Sequence, residues 1–154
     1  MGDTTDVLRA PYDHNAIVGL GYQHYRWSLG YLLLGWEVGV AGRFGGNDSA
    51  EFWSGPTMRY DGFVLANLVR IAPSFTAGFS VVTASMGIER DRELAHHGSA
   101  NILFYLGPEI AISTVAHPNI ELFYQLHHRC GANGTLGELR EGYNANVIGL
   151  RFRF

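Results

Sequence analysis

The only cysteine of the chain lies in the segment Gln125-Leu-His-His-Arg-Cys-Gly-Ala-Asn-Gly134, two residues after His128. In an extended strand, residues two apart share a face. A histidine beside a thiol is the minimum pair for acyl transfer, because the imidazole raises the fraction of attacking thiolate. The plainer alternative is a histidine at the polar edge of a sheet, with the cysteine as a small apolar filler.

The residues leading into this pair do alternate. Over 120–130, Leu122, Tyr124 and Leu126 fall on the face of His128 and Cys130, whereas Glu121, Gln125, His127 and Arg129 fall on the other. The same period recurs along the chain. Residues 14–25 set Ala16, Val18, Leu20 and Tyr22 against Gly19, Gly21 and Gln23, and 30–44 set Leu32, Leu34, Trp36, Val38 and Val40 against Gly35, Glu37, Gly39 and Arg43. Residues 51–60, 74–84, 100–113 and 146–154 complete seven strand-like segments, the last placing Ile148, Leu150, Phe152 and Phe154 opposite Gly149, Arg151 and Arg153. Pro56 in the third calls for an edge position or a bulge. Residues 63–71 could finish one strand and start the next. No segment carries a convincing 3.6-residue stripe, and the charged run 89–97 reads as a turn-rich connection.

One face of each strand is continuously apolar. The other is small or polar, with glycines beside Glu37, Arg59, Glu109, Glu121, Arg129, Arg151 and Arg153. Lysine is absent, which is unusual for a solvated sheet surface. These features fit an inverted barrel, with apolar side chains outside and glycines and ion-paired charges in a crowded lumen. Such charges are a structural network rather than a catalytic one. A histidine and a thiol on the outer face would then suit a substrate that is itself part of the membrane. A soluble, lipocalin-like barrel is the rival, and it requires Ile148, Leu150 and Phe152 to point inward.

Composition narrows the field further. A length of 154 residues supports one domain, 1–154, with 1–13 as an irregular lead-in. A single cysteine excludes an internal disulfide framework; no Cys/His spacing suggests structural zinc, and no metal or organic cofactor is implied. A net charge of -3 with 11 basic residues argues against non-specific nucleic-acid binding. No apolar run of about 18 residues exists for a transmembrane helix. The mean hydropathy of +0.01 is compatible with a membrane barrel, because half of each strand faces a polar interior.

Residues 1–14 have neither the basic nor the apolar region of a signal peptide, so an exported form would be one from which that peptide has been removed. An even strand number is expected of a bacterial barrel. Residues 4–12 supply an eighth strand poorly, given Pro11 and the loss of period. The expectation is an eight-stranded antiparallel transmembrane β-barrel whose first strand is missing or poorly formed.

The chain resembles the outer-membrane lipid A 3-O-deacylase and acyloxyacyl-hydrolase-like β-barrels of Gram-negative bacteria. The likeness lies in 98–111, in 126–134, and in Glu141-Gly-Tyr-Asn144 through Arg151-Phe-Arg-Phe154, and more loosely in 36–82. It implies an integral outer-membrane protein that hydrolyses an acyl ester of outer-leaflet lipid A. In that family a histidine is the general base, a serine two residues on is the nucleophile, and an acidic residue on the last strand orients the imidazole. The histidine falls on His128 and the serine on Cys130. The acid falls near Asn144, with Glu141 the nearest carboxylate, and the asparagine after the serine is replaced by Gly131. One position matches and three differ. The resemblance therefore leaves a cysteine-dependent esterase beside a non-catalytic, structural or lipid-binding barrel. With the C-terminus on the periplasmic side, His128 and Cys130 would lie near the outer leaflet.

Overall fold

Period-two segments rich in β-branched and aromatic residues suit a pleated wall with two unlike faces. In a computed structural model they form one. It describes residues 15–96, 98–132, 135–137 and 142–154. The elements are β1 (Ala16–Leu29), β2 (Leu32–Phe44), β3 (Ser49–Tyr60), β4 (Phe63–Leu65), β5 (Val69–Val82), α1 (Ile88–His96), β6 (Ile102–Thr114), β7 (His117–Cys130) and β8 (Gly142–Phe152). Each long strand pairs with the next, antiparallel, in the order β1-β2-β3-β5-β6-β7-β8. The sheet curls into an open barrel, the all-β antiparallel architecture expected of an eight-stranded barrel.

The ambiguous stretch 63–71 does finish one strand and start another. Short β4 pairs only with β5, through Phe63↔Ile71 to Leu65↔Val69. Ala66 and Asn67 turn the chain with φ of 51° and 55°, and the Leu68 N–H donates to Leu65 O at 2.9 Å. Short turns at 30–31, 66–68 and 115–116 lie at one end of the barrel; the longer connections 45–48, 83–101 and 131–141 lie at the other.

Two expectations are corrected. Pro56 lies neither at an edge nor on a bulge, since β3 has β2 and β5 on either side. Ser54↔Phe79 and Thr57↔Thr76 keep one register while Gly55 and Pro56 drop out of the β3–β5 ladder. A Cβ on Gly55 or Gly78 would meet the opposite main chain at 2.2 or 2.0 Å, so the paired glycines let the backbones close around the missing N–H donor. The charged run at 89–97 falls in helix α1 as far as His96 rather than forming a bare turn. Glu89 and Asp91 occupy its first turn, where carboxylates oppose the helix dipole favourably.

Burial follows the alternation. Leu20, Val40, Phe52, Phe79, Ile110, Leu122, Ile148, Leu150 and Phe152 are exposed on the outer face, while Glu37, Arg43, Glu51, Arg59, Glu109, Glu121, His127 and Arg129 are buried inside. Outward Ile148, Leu150 and Phe152 exclude the lipocalin-like arrangement. Inside, the polar groups form three tiers. Nearest α1, Arg43 and Arg129 share Glu89, and Glu51 accepts from Ser80 and pairs with His127 at 2.7 Å. In the middle, Glu37 accepts from Trp53, Gln23 and Thr76 at 2.7, 2.8 and 2.6 Å. At the short-turn end, Arg59 makes a two-pronged pair with Glu121 and Arg151 another with Glu109. Each removes two ions from water and matches a planar fork to a carboxylate.

Between β1 and β8, whose facing edges share no ladder among the described residues, lies a cavity of about 810 Å³. Gly19, Gly21, Gln23, Gly149 and Arg151 line it, and Tyr22 stacks against Phe154 across it at 6.3 Å.

Candidate functional site

Strand β7 carries two adjacent histidines to opposite sides of the wall. Its burial alternates from Glu121 to Cys130, with Glu121, Gln125, His127 and Arg129 buried and Leu122, Tyr124, Leu126, His128 and Cys130 on the outer side. His128 is half-buried in a row that runs Leu106 on β6, His128 on β7 and Asn144 on β8. The next row toward the long-loop end runs Phe104, Cys130 and Gly142.

The side chains of this patch converge. His128 Nδ1 lies 2.5 Å from Asn144 Oδ1. An amide oxygen can only accept, so Nδ1 carries the hydrogen and Nε2 presents its lone pair. Cys130 stands one step further along the same outer face of β7, in the row of Gly142, over which the His128 ring extends. Gly142 makes room for the ring: a Cβ there would come within 2.3 Å of His128 Cε1. Imidazole and amide are thus in contact, with the thiol in the neighbouring row of the same outer face, at the barrel end that carries the longer connections.

Three of the four residues singled out in the sequence are brought together: His128, Cys130 and Asn144. Glu141 lies outside the described residues. The structure adds an outward polar contact that the sequence reading passed over. Tyr124 Oη donates to Asn146 Oδ1 at 2.6 Å, one step along β8 from Asn144. The signal was present, since Asn144, Asn146 and Ile148 share the parity of one strand face. Apart from these groups the neighbouring outer surface is apolar, with the Phe79 and Phe104 rings tilted against each other at 5.3 Å beside Cys130 and with Leu122 and Ile148 below.

His127 has a more polar environment and less access. Its Nε2 meets Glu51 at 2.7 Å, and Trp53 and Tyr105 enclose its ring at 5.0 and 4.6 Å between centroids. It is 1% exposed. A histidine held by a carboxylate inside the barrel wall is part of the lumen network and cannot touch a substrate on the outer surface.

Compared with protein-family models, with curated proteins and with solved structures, the chain matches none. The functional reading therefore rests on the geometry of this patch and on the chemistry of its residues.

Proposed function

We propose that this protein is an integral outer-membrane esterase that removes an acyl chain from lipid A, with Cys130 as nucleophile, His128 as general base and Asn144 as the residue that orients the imidazole. The observation that carries the reading is the convergence of thiol, imidazole and amide in two adjacent rows of an outward, apolar face. A catalytic pair pointing into the lumen would serve a soluble substrate; one pointing outward serves a lipid.

The inverted faces support the membrane setting. Exposed Leu, Ile, Val and Phe side chains around the wall would be a large apolar patch in water but are ordinary against hydrocarbon. Short turns at one end and long connections at the other are the pattern of an outer-membrane barrel, in which the long ones face outward. His128 and Cys130 then lie near the outer leaflet, where the ester linkages of lipid A are found.

The reaction runs in two steps. His128 Nε2 takes the thiol proton as Sγ attacks the ester carbonyl carbon; the carbon–oxygen bond breaks, and the departing alkoxide takes the proton from the imidazolium. Water then attacks the thioester, His128 accepts its proton, and the thiolate leaves with the fatty acid formed and is reprotonated. Asn144 fixes the ring and its tautomer but supplies no negative charge to the imidazolium. That deficit favours, as a second reading, a non-catalytic barrel that binds lipid at the same patch.

Mass spectrometry of lipid A from cells producing the wild type, Cys130→Ala and Cys130→Ser separates the two. Loss of one acyl chain with the wild type, abolished in Cys130→Ala, is the expected result. Unchanged acylation in all three would sink the esterase reading, and activity found only with serine would mark the lipid-binding form.

A further inference from the structure

We propose that Arg129 is the positioning residue for the His128–Cys130 pair, held from inside the barrel by helix α1 through Glu89. The proposal deepens the esterase reading and rests on it for the catalytic consequence alone.

Arg129 stands between the two outward residues, so the strand sends its side chain inward, where it is fully buried. Its guanidinium is fixed by three segments. Nε donates to Ser80 Oγ on β5 at 2.8 Å, Nη2 donates to the Ala100 carbonyl before β6 at 2.8 Å, and Nη1 pairs with Glu89 of α1. A second carboxylate, Glu51, stands 3.5 Å from Nε. The other oxygen of Glu89 accepts from Arg43 Nη2 on β2 at 2.8 Å, so one carboxylate of α1 clamps two strands of the wall. The connection after Cys130 is tied to the same place: the Ser99 N–H donates to Gly137 O and the Leu136 N–H to Gly131 O, both at 2.9 Å.

The outer site needs such a hold. Residues two apart on one strand are separated by roughly 6.6 Å along the chain, so an imidazole and a thiol there meet only if local twist and rotamers bring them together. Cys130 is the last residue of β7, where a ladder frays most readily. A rigid fork anchored at three points fixes the backbone between His128 and Cys130 more firmly than the ladder end alone.

The test uses the full chain in detergent micelles and the alkylation of Cys130, the only thiol, by a small water-soluble maleimide. The rate at about pH 7 divided by the rate at about pH 10, where the thiol ionises without help, reports what the imidazole contributes and cancels simple accessibility. Glu89→Gln keeps the shape and removes the charge; it is expected to lower this ratio by about threefold or more. Ser80→Ala should lower it less. Glu121→Gln, which breaks the Arg59 pair at the other end of the lumen, should leave it unchanged. Lipid hydrolysis should follow the same order in kcat with KM little altered. An unchanged ratio in both Glu89→Gln and Ser80→Ala, or an equal fall in Glu121→Gln, overturns the proposal. A fall in Glu89→Gln in a protein whose wild type hydrolyses no lipid supports the positioning role and removes only the esterase reading.

Discussion

His127 and His128 are neighbours in sequence and face opposite media. His127 has the partner usually associated with catalysis, a carboxylate, yet it is sealed behind the wall between Trp53 and Tyr105. His128 has only a neutral amide, yet it faces outward beside the thiol. Under the esterase proposal, a strong histidine–carboxylate contact is therefore no guide to function; access and the presence of a nucleophile decide, and strand parity assigns both.

Exchanging each histidine in turn tests the contrast most severely. His128→Gln should reduce lipid hydrolysis by at least about 100-fold, the usual contribution of a general base, with folding retained in a gel-mobility assay of heated and unheated protein. His127→Gln should do the reverse, costing about 1–3 kcal/mol in urea unfolding, because Glu51 loses a buried partner, with kcat within about twofold of wild type. Equal loss of activity in both variants would erase the distinction between the two sides of the strand.

Gly142→Ala comes next. The added methyl would displace the His128 ring, and activity should fall by about tenfold or more while stability changes by less than about 1 kcal/mol. Asn144→Ala should have the smallest effect, a loss of about tenfold in kcat, with Asn144→Asp recovering or exceeding the wild-type rate because a carboxylate stabilises the imidazolium as well as orienting it. An aspartate variant slower than alanine would show that the ring is held by packing rather than by the residue across the ladder.

Much of this arrangement was legible because a period of two is a simple code. Leu122, Tyr124, Leu126, His128 and Cys130 share the outer face in the structure as they share parity in the sequence, and the charges named for the interior are either buried there or, as Arg151 and Arg153, paired with its carboxylates. Strand ends were harder. β8 begins at Gly142, four residues before its apolar face becomes readable, because Gly142, Asn144 and Asn146 are poor strand-formers on the face that later carries Ile148. Helix α1 escaped notice because nine residues, most of them charged, carry too little apolar periodicity; its hold on the barrel is the buried Glu89. Pro56 misled for a related reason. The rule that excludes proline from a central strand concerns a missing donor, and the glycines at 55 and 78 that resolve it come from two different strands.

The order of the sheet has a topological consequence. Seven long antiparallel strands are an odd number, so β1 and β8 point the same way. The two margins of the cavity beside Tyr22 and Phe154 cannot be joined by the kind of ladder used everywhere else in the wall. They can meet only as a parallel seam, with its slanted bonds, or through an odd number of further crossings that restore the alternation. Under the membrane reading, in which an unpaired peptide group costs several kcal/mol, that arithmetic leaves the β1–β8 margin, among the described residues, with a demand still to be met.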